Sequence, residues 1–248
     1  MAQIVIPYEH IETDMNSATS TALDYLARSS FFGTLQEMDR RAVLARMRPV
    51  DFDAGQLIFS RGDPGKDVYL VLSGCVRLSV LTGDGREFSL ALAAEGSVFG
   101  EIAALDGLER TADATAITAV KTLLLPKAAL AALIQENPRV SSAAIVFLCA
   151  RLRETDLKLE VVALQSVEVR LAWFLLSSLE RQSTGAQTGK ISLNLGISQT
   201  EIGLLIGATR PKVNGALAQL ENRRVISRTS TGFVCDIDAL QRIADRET

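Results

Sequence analysis

The sequence predicts an α+β fold: a small N-terminal β-roll, then a long helix, then a C-terminal winged helix-turn-helix. Three observations predict it. Between Val50 and Leu125, short β-like runs are punctuated by glycine, with turn chemistry at Asp63-Pro64-Gly65 and Gly83-Asp84-Gly85. From Asn137-Pro138 to about Gln165 runs a single helical pattern without a breaker. Past Ser198 come a helix, a glycine-containing turn, a second helix and a hairpin. The expected parts are an arm over 1–20, the roll over 21–137, the long helix over 138–165 and the reader over 166–248.

The totals exclude several classes. A chain of 248 residues is long enough for two compact domains, and 48% hydrophobic with 22% charged residues is an ordinary globular composition. No apolar run approaches the ~18 residues that span a bilayer, and no signal-peptide core opens the chain. Cys75, Cys149 and Cys235 are scattered and odd in number, which reads as reduced thiols in a cytoplasm and not as a disulfide frame or metal cluster. The net charge of −3 is uneven: from Ala186 onward it is +2, before that −5. DNA binding depends on the local field, so the asymmetry permits it.

Taken in order, residues 1–20 show no period and read as an arm, and His10, the one histidine, reads as solvated there. From Ala22 to Met47 apolar residues recur at helical spacing, fitting two short helices broken near Gly33, and Pro49 closes the helical region. Val68 to Leu72 is nearly all apolar, while Val76, Leu78 and Val80 alternate with polar neighbours. Gly185, Gly189 and Lys190 suggest a phosphate loop, but the glycines are one residue too close and Ile191 replaces the hydroxyl. They read as a turn between a helix ending near Arg181 and a strand from Lys190 to Leu193.

The stretch Phe99 to Ala112, FGEIAALDGLERTA, carries the ligand chemistry. It reads as a short helix with glycine in its first turn, where bare backbone and free N–H groups attract an anion. Arg110 offers a charged fork to a phosphate, and Thr111 a hydroxyl beside it. Glu101 repels a phosphate and suits a sugar hydroxyl, so the run points to a nucleotide. The Phe-Gly-Glu opening and Arg-Thr-Ala close resemble the phosphate-binding cassette of the cyclic-AMP receptor protein/fumarate-nitrate reduction regulator (CRP/FNR) family. The resemblance implies that Gly100, Glu101, Ile102, Ala103, Arg110 and Thr111 hold a cyclic nucleotide as effector. No metal and no other cofactor is expected.

On the long helix Ile145, Leu148, Leu152, Thr155, Leu159 and Val162 step by 3, 4, 3, 4 and 3, a heptad seam. About 28 residues at 1.5 Å each reach roughly 40 Å, more than a small roll covers, so a parallel coiled coil and a homodimer are expected. The resemblance implies that this helix meets the nucleotide base through a Thr-Ser pair, which here is Thr155-Asp156. Thr155 suits the adenine amino group; Asp156 suits the paired donors of guanine. Thr111 with Asp156 is also similar to a pairing in some eukaryotic cyclic-GMP domains. Cyclic AMP is favoured, with cyclic GMP the alternative.

Ser198-Gln199-Thr200-Glu201 is a capping box that opens the first reader helix, Ile202 to Ile206. Gly207-Ala208-Thr209 turns the chain, and Arg210 to Asn222 forms the second helix, burying Val213, Leu217 and Leu220. Val225 to Val234 then reads as a wing. The expected DNA contacts are Ser198, Thr209, Arg210, Lys212 and Asn214, with Arg210 suited to a guanine edge. The family's glutamate and second arginine positions hold Pro211 and Gly215, so the family operator is not assumed. The function read from the sequence is a homodimeric, ligand-gated transcription regulator on a palindromic operator of double-stranded DNA. The resemblance adds RNA polymerase as a partner; no membrane partner is expected. Alternatives are the same fold sensing another input or acting constitutively, and, further off, a nucleotide-acting enzyme, for which neither a metal cluster nor an activated nucleophile is visible.

Overall fold

The structure, a computed structural model, describes residues 21–245 apart from 82, 84–86, 183–187 and 231. The expected arm with His10, the Asp84-Gly85 half of one turn, and Gly185 lie outside the described residues. The chain forms two compact units: one holds the described chain up to Val80 with Leu90–Arg151, the other Leu81–Ser89 with everything from Leu152 on. The long helix is therefore not a body of its own; its first half belongs with the roll and its second half with the reader.

In the first unit, helix α1 (residues 21–28) and helix α2 (Glu37–Leu44) precede the roll. The strands are β1 (Arg48–Phe52), β2 (Leu57–Phe59), β3 (Asp67–Ser73), β4 (Val76–Leu81), β5 (Glu87–Ala93), β6 (Val98–Phe99), β7 (Asp113–Ala116) and β8 (Val120–Pro126). They form two four-stranded sheets, ordered β1-β8-β3-β6 and β2-β7-β4-β5. The helical region is over before Pro49, as expected; Pro49 lies inside β1, on an edge strand of its sheet, where proline is tolerated.

The all-apolar run in β3 has a two-sided cause. Successive side chains point to opposite faces; Tyr69 and Val71 enter the roll interior with Phe99, Ala114 and Val120. Val68 and Leu70 enter a second cluster with Leu26, Phe31, Phe32, Leu125 and Phe147. Strand β8 divides in the same way, Leu124 inward and Leu123 with Leu125 outward. Each such buried side chain contributes about 1.5–3 kcal/mol. Helix α3 (Glu101–Asp106) follows β6, and helix α4 (Lys127–Glu136) leads to the long helix α5 (Pro138–Leu164). Val140, Ala143, Ala144 and Phe147 bury the start of α5, with Phe147 stacked on Phe31 at 5.1 Å.

In the second unit, α6 (Val167–Gln182) carries Val169, Leu171, Ala172, Leu175 and Leu179 in its core. Strand β9 (Lys190–Asn194) joins the wing strands β10 (Ile226–Arg228) and β11 (Gly232–Asp236) in an antiparallel sheet ordered β10-β11-β9. Cys235 on β11 is fully buried, and burial pushes its thiol up to about 12. A last helix, α9 (Ile237–Ala244), packs on α6 through Ile237, Leu240, Ile243 and Ala244. Asp236 caps it by accepting from the Ala239 N–H at 2.9 Å.

Among the described residues Arg224 is the one non-glycine with positive φ, at 58°. It sits just past the second reader helix, where the Val225 N–H returns to the Leu220 carbonyl at 2.9 Å, a turn that favours glycine. Left-handed backbone costs an L-residue roughly 1–2 kcal/mol, against which glycine's looser unfolded chain subtracts some. Arg224→Gly is therefore expected to stabilise the protein by about 0.5–1 kcal/mol, read as a rise in the denaturation midpoint.

Candidate functional site

The short cassette helix is built by its neighbours. Gly100 is the residue before α3, with φ 79°, so the glycine stands at the N-cap and not in the first turn as expected. A left-handed backbone there is what glycine tolerates. Gly100 has no side chain to cap this end, so the first turn of α3 has no N-cap acceptor. Gly107, again left-handed, closes the helix. Opposite, the Asp63-Pro64-Gly65 turn pairs with the cassette's end: the Arg110 N–H donates to the Asp63 carbonyl at 2.8 Å. A Cβ on Gly65 would lie 2.2 Å from the Ala103 Cβ, so glycine is what lets this turn touch α3.

Arg110 is 5% exposed. Its two terminal nitrogens donate to the Gly100 carbonyl at 2.7 Å and the Asp67 carbonyl at 2.9 Å. Its guanidinium carbon lies 4.1 Å from the centre of the Phe59 ring, beside the stacked Tyr69 and Phe99. Burial lowers its pKa, and Tyr69, Asp67 and Glu101 act in the opposite direction. The Nε–H is buried without a hydrogen-bond partner among the described residues. A buried cation with one unpaired donor beside an uncapped helix start is a donor set that fits an anionic ligand.

Glu101, 2% exposed, is the buried counter-charge. Burial raises its pKa, while Arg151, a bond to its own backbone and Arg110 pull it down. Its Oε1 lies 3.7 Å from the Nε of Arg151 on α5. Sequence reasoning missed Arg151: it is one of three arginines on a long helix, and nothing local singles it out. Of the other expected residues, Ala103 is buried against the 63–65 turn and offers only its backbone outward. Ile102 is 41% exposed, and Thr111 is exposed beside Arg110. Gly100, Glu101, Ala103 and Arg110 thus converge within the first unit. Thr155 and Asp156 are exposed on the part of α5 that belongs to the second.

Along α5, Ile145 (62%), Leu152 (61%) and Leu159 (67%) are largely exposed, and Leu148 is partly so. Val162 departs from this row: it is half-buried and faces Gly207 of its own unit, so the apolar row ends at Leu159. In the reader, Ser198 is the cap as the capping box predicts, accepting from the Glu201 N–H at 3.2 Å, and α7 (Gln199–Ile206) begins directly after it, three residues before the expected start. The Ser198 hydroxyl is thus engaged within the fold. Gly207 ends α7 and Thr209 precedes α8 (Arg210–Asn222). Arg210, Lys212 and Asn214 are exposed on its opening turns. Among the described residues no group of three or more His, Cys, Asp or Glu could hold a metal, and no helix is long and apolar enough to cross a membrane.

Comparison with known proteins places these two sites in named modules. Residues 49–137 match the cyclic nucleotide-binding domain, and residues 169–243 the Crp-like helix-turn-helix domain. A CRP-like cAMP-activated global transcriptional regulator of Mycobacterium tuberculosis is 33% identical over 200 residues, 81% of this chain and 89% of that one. A global nitrogen regulator of Nostoc sp. is 33% identical over 178 residues, 71% of this chain and 79% of its own. The structure of FixK2 from Bradyrhizobium japonicum shares the fold with TM-score 0.72 at 23% identity, over 79% of this chain and 96% of that one. Cassette, long helix and winged reader, in this order and with this likeness, make the chain a member of the CRP/FNR family of transcription regulators, a family of DNA-binding proteins and not of enzymes.

Proposed function

We propose that this protein is a homodimeric transcription regulator gated by cyclic AMP, with cyclic GMP the alternative effector. The observation that carries the reading is a buried arginine, Arg110, with an unpartnered Nε–H, and a buried carboxylate, Glu101, at the start of one helix whose N-cap is glycine. Arg110 and the first-turn N–H groups neutralise a cyclic phosphate, and the Glu101 carboxylate accepts from a ribose hydroxyl. Cyclic AMP is preferred because the M. tuberculosis relative and a Thermus thermophilus relative, 35% identical, are respectively cAMP-activated and a cyclic AMP receptor protein. Thr155 and Asp156 as base contacts rest on the family resemblance. A second reading, the same fold under another input, draws on the nitrogen regulators of similar identity. The operator is palindromic, with half-sites about one turn (~34 Å) apart; RNA polymerase is the partner and the cytoplasm the compartment this action requires.

Calorimetric titration with both nucleotides, at a series of pH values, tests the proposal. Because the folded pKa of Glu101 is raised above 4.5, folding takes up a proton in the window between the two values. Its contribution to stability is complete below about 4.5 and is lost as pH rises through the folded value. Nucleotide binding runs the opposite way, since the ionised carboxylate is the better acceptor, and tightens with rising pH. Glu101→Gln is expected to flatten both dependences and weaken binding about tenfold or more. Failure of both nucleotides to bind at any pH would favour the second reading; tighter binding of cyclic GMP, lost in Asp156→Ser, would replace cyclic AMP.

A further inference from the structure

Helix α8 is the DNA-reading helix of the family's module, and its outward chemistry is unusual. Val213, Ala216, Leu217 and Leu220 are buried and fix its inner side. At 100° per residue the opposite side carries Pro211, Gly215 and Ala218 in line, all exposed, with Asn222 a turn further on. Asn214 flanks this line on one side, Lys212 and Gln219 on the other, and Arg210 stands at the helix start. Glycine inside an exposed helix costs about 1 kcal/mol relative to alanine. Nothing in the fold requires it here: a Cβ on Gly215 would meet no atom within 4 Å, and its backbone is ordinary helix. Pro211, one turn earlier, has no N–H to offer a phosphate or a base. The side of the helix opposite its buried face therefore has neither a long side chain nor a hydrogen-bonding side chain from Pro211 to Ala218.

We infer that Gly215, with Pro211 and Ala218, sets operator specificity by letting α8 approach base edges closely and take thymine methyl groups. Direct polar readout is then confined to the flanks. This rests on the DNA-regulator reading. In the major groove the thymine C5-methyl is the one apolar feature a base pair presents, and small apolar groups are its partners. Arg210 takes a guanine at the outer end of the half-site, where its fork reaches O6 and N7. The inner positions, under Gly215 and Ala218, are A·T pairs read by their methyl groups. Asn214 is placed to take an adjacent adenine through N6 and N7.

The test is selection from a randomised duplex pool by the full-length protein, once with cyclic AMP and once with cyclic GMP present. Half-sites with an outer guanine and inner thymines are expected. Deoxyuridine in place of the enriched thymines should lower affinity about threefold to fivefold per methyl removed. Gly215→Leu, which the open space accommodates, should match or exceed the wild-type melting temperature and lose about tenfold or more on the selected duplex. Arg210→Ala should relax preference at the guanine alone. Inner G·C pairs, indifference to deoxyuridine, or unchanged binding by Gly215→Leu would overturn the inference while leaving the regulator reading intact. A pool with no enrichment under either nucleotide would overturn both.

Discussion

Alanine at Arg110 is expected to reduce cyclic-nucleotide binding at least ~100-fold and to destabilise the roll by about 3–5 kcal/mol. Both effects have one cause. The guanidinium is the buried cation of the site, and it also ties the Gly100 carbonyl, at the start of α3, to the Asp67 carbonyl, on β3. Charge-assisted bonds of this kind contribute about 1.5–3 kcal/mol each, and the contact with Phe59 adds roughly 0.5–2 kcal/mol. Two carbonyls would lose their cation, and Glu101 would keep only Arg151. Arg110→Lys separates the roles, keeping a charge but not the fork, so it should bind weakly yet stay closer to wild type in urea. Affinity by calorimetry and midpoints by circular dichroism check the pair. Wild-type affinity in Arg110→Ala would remove the cassette from consideration as the phosphate site.

The second large effect concerns α5. Leu152 and Leu159 are 61% and 67% exposed on one row of a helix, with Ile145 and Leu148 before them. An apolar row of this length, interrupted by Thr155, is seldom left to water. Glutamate at both leucines should yield monomers in sedimentation without loss of secondary structure, because neither side chain supports the chain's own core. Binding to a two-half-site operator should then fall by a factor of about 100 or more, since a linked second contact multiplies affinity by 10² to 10⁴. A double mutant that sediments as a dimer would dismiss the seam.

What was legible in the sequence depended on whether a residue's reason lay nearby in the chain. The cassette was legible because its glycine, carboxylate and arginine fall within fourteen residues. The turn at Gly207 and the cap at Ser198 were legible for the same reason. The long helix announced itself by uninterrupted period, but the break in its row at Val162 did not, because Gly207 faces it from forty-five positions further on. Arg151 became a site residue only through Glu101, fifty positions earlier. The apolar alternation of α9 was present in Ile237, Leu240 and Ile243, yet eight residues after a wing are easily passed over as a tail. Arg110 was legible as a cation; that two carbonyls hold it inward required the strand and the helix start to be brought together.

The buried thiol of Cys235 has a use outside regulation. Burial pushes its pKa up to about 12, so at pH 8 the reactive thiolate is scarce even if the reagent could reach it, and it has no exposed surface. Cys149, exposed on α5, lacks that protection, and Cys75 is only half-buried. A thiol reagent should therefore mark Cys149 at once and Cys235 only when β11 leaves its neighbours β9 and β10. Slow alkylation at Cys235 becomes a stopwatch for spontaneous opening of the wing sheet in the native protein. Timed with and without nucleotide, it reports whether an effector held by the cassette alters the lifetime of the reader's own hydrogen bonds.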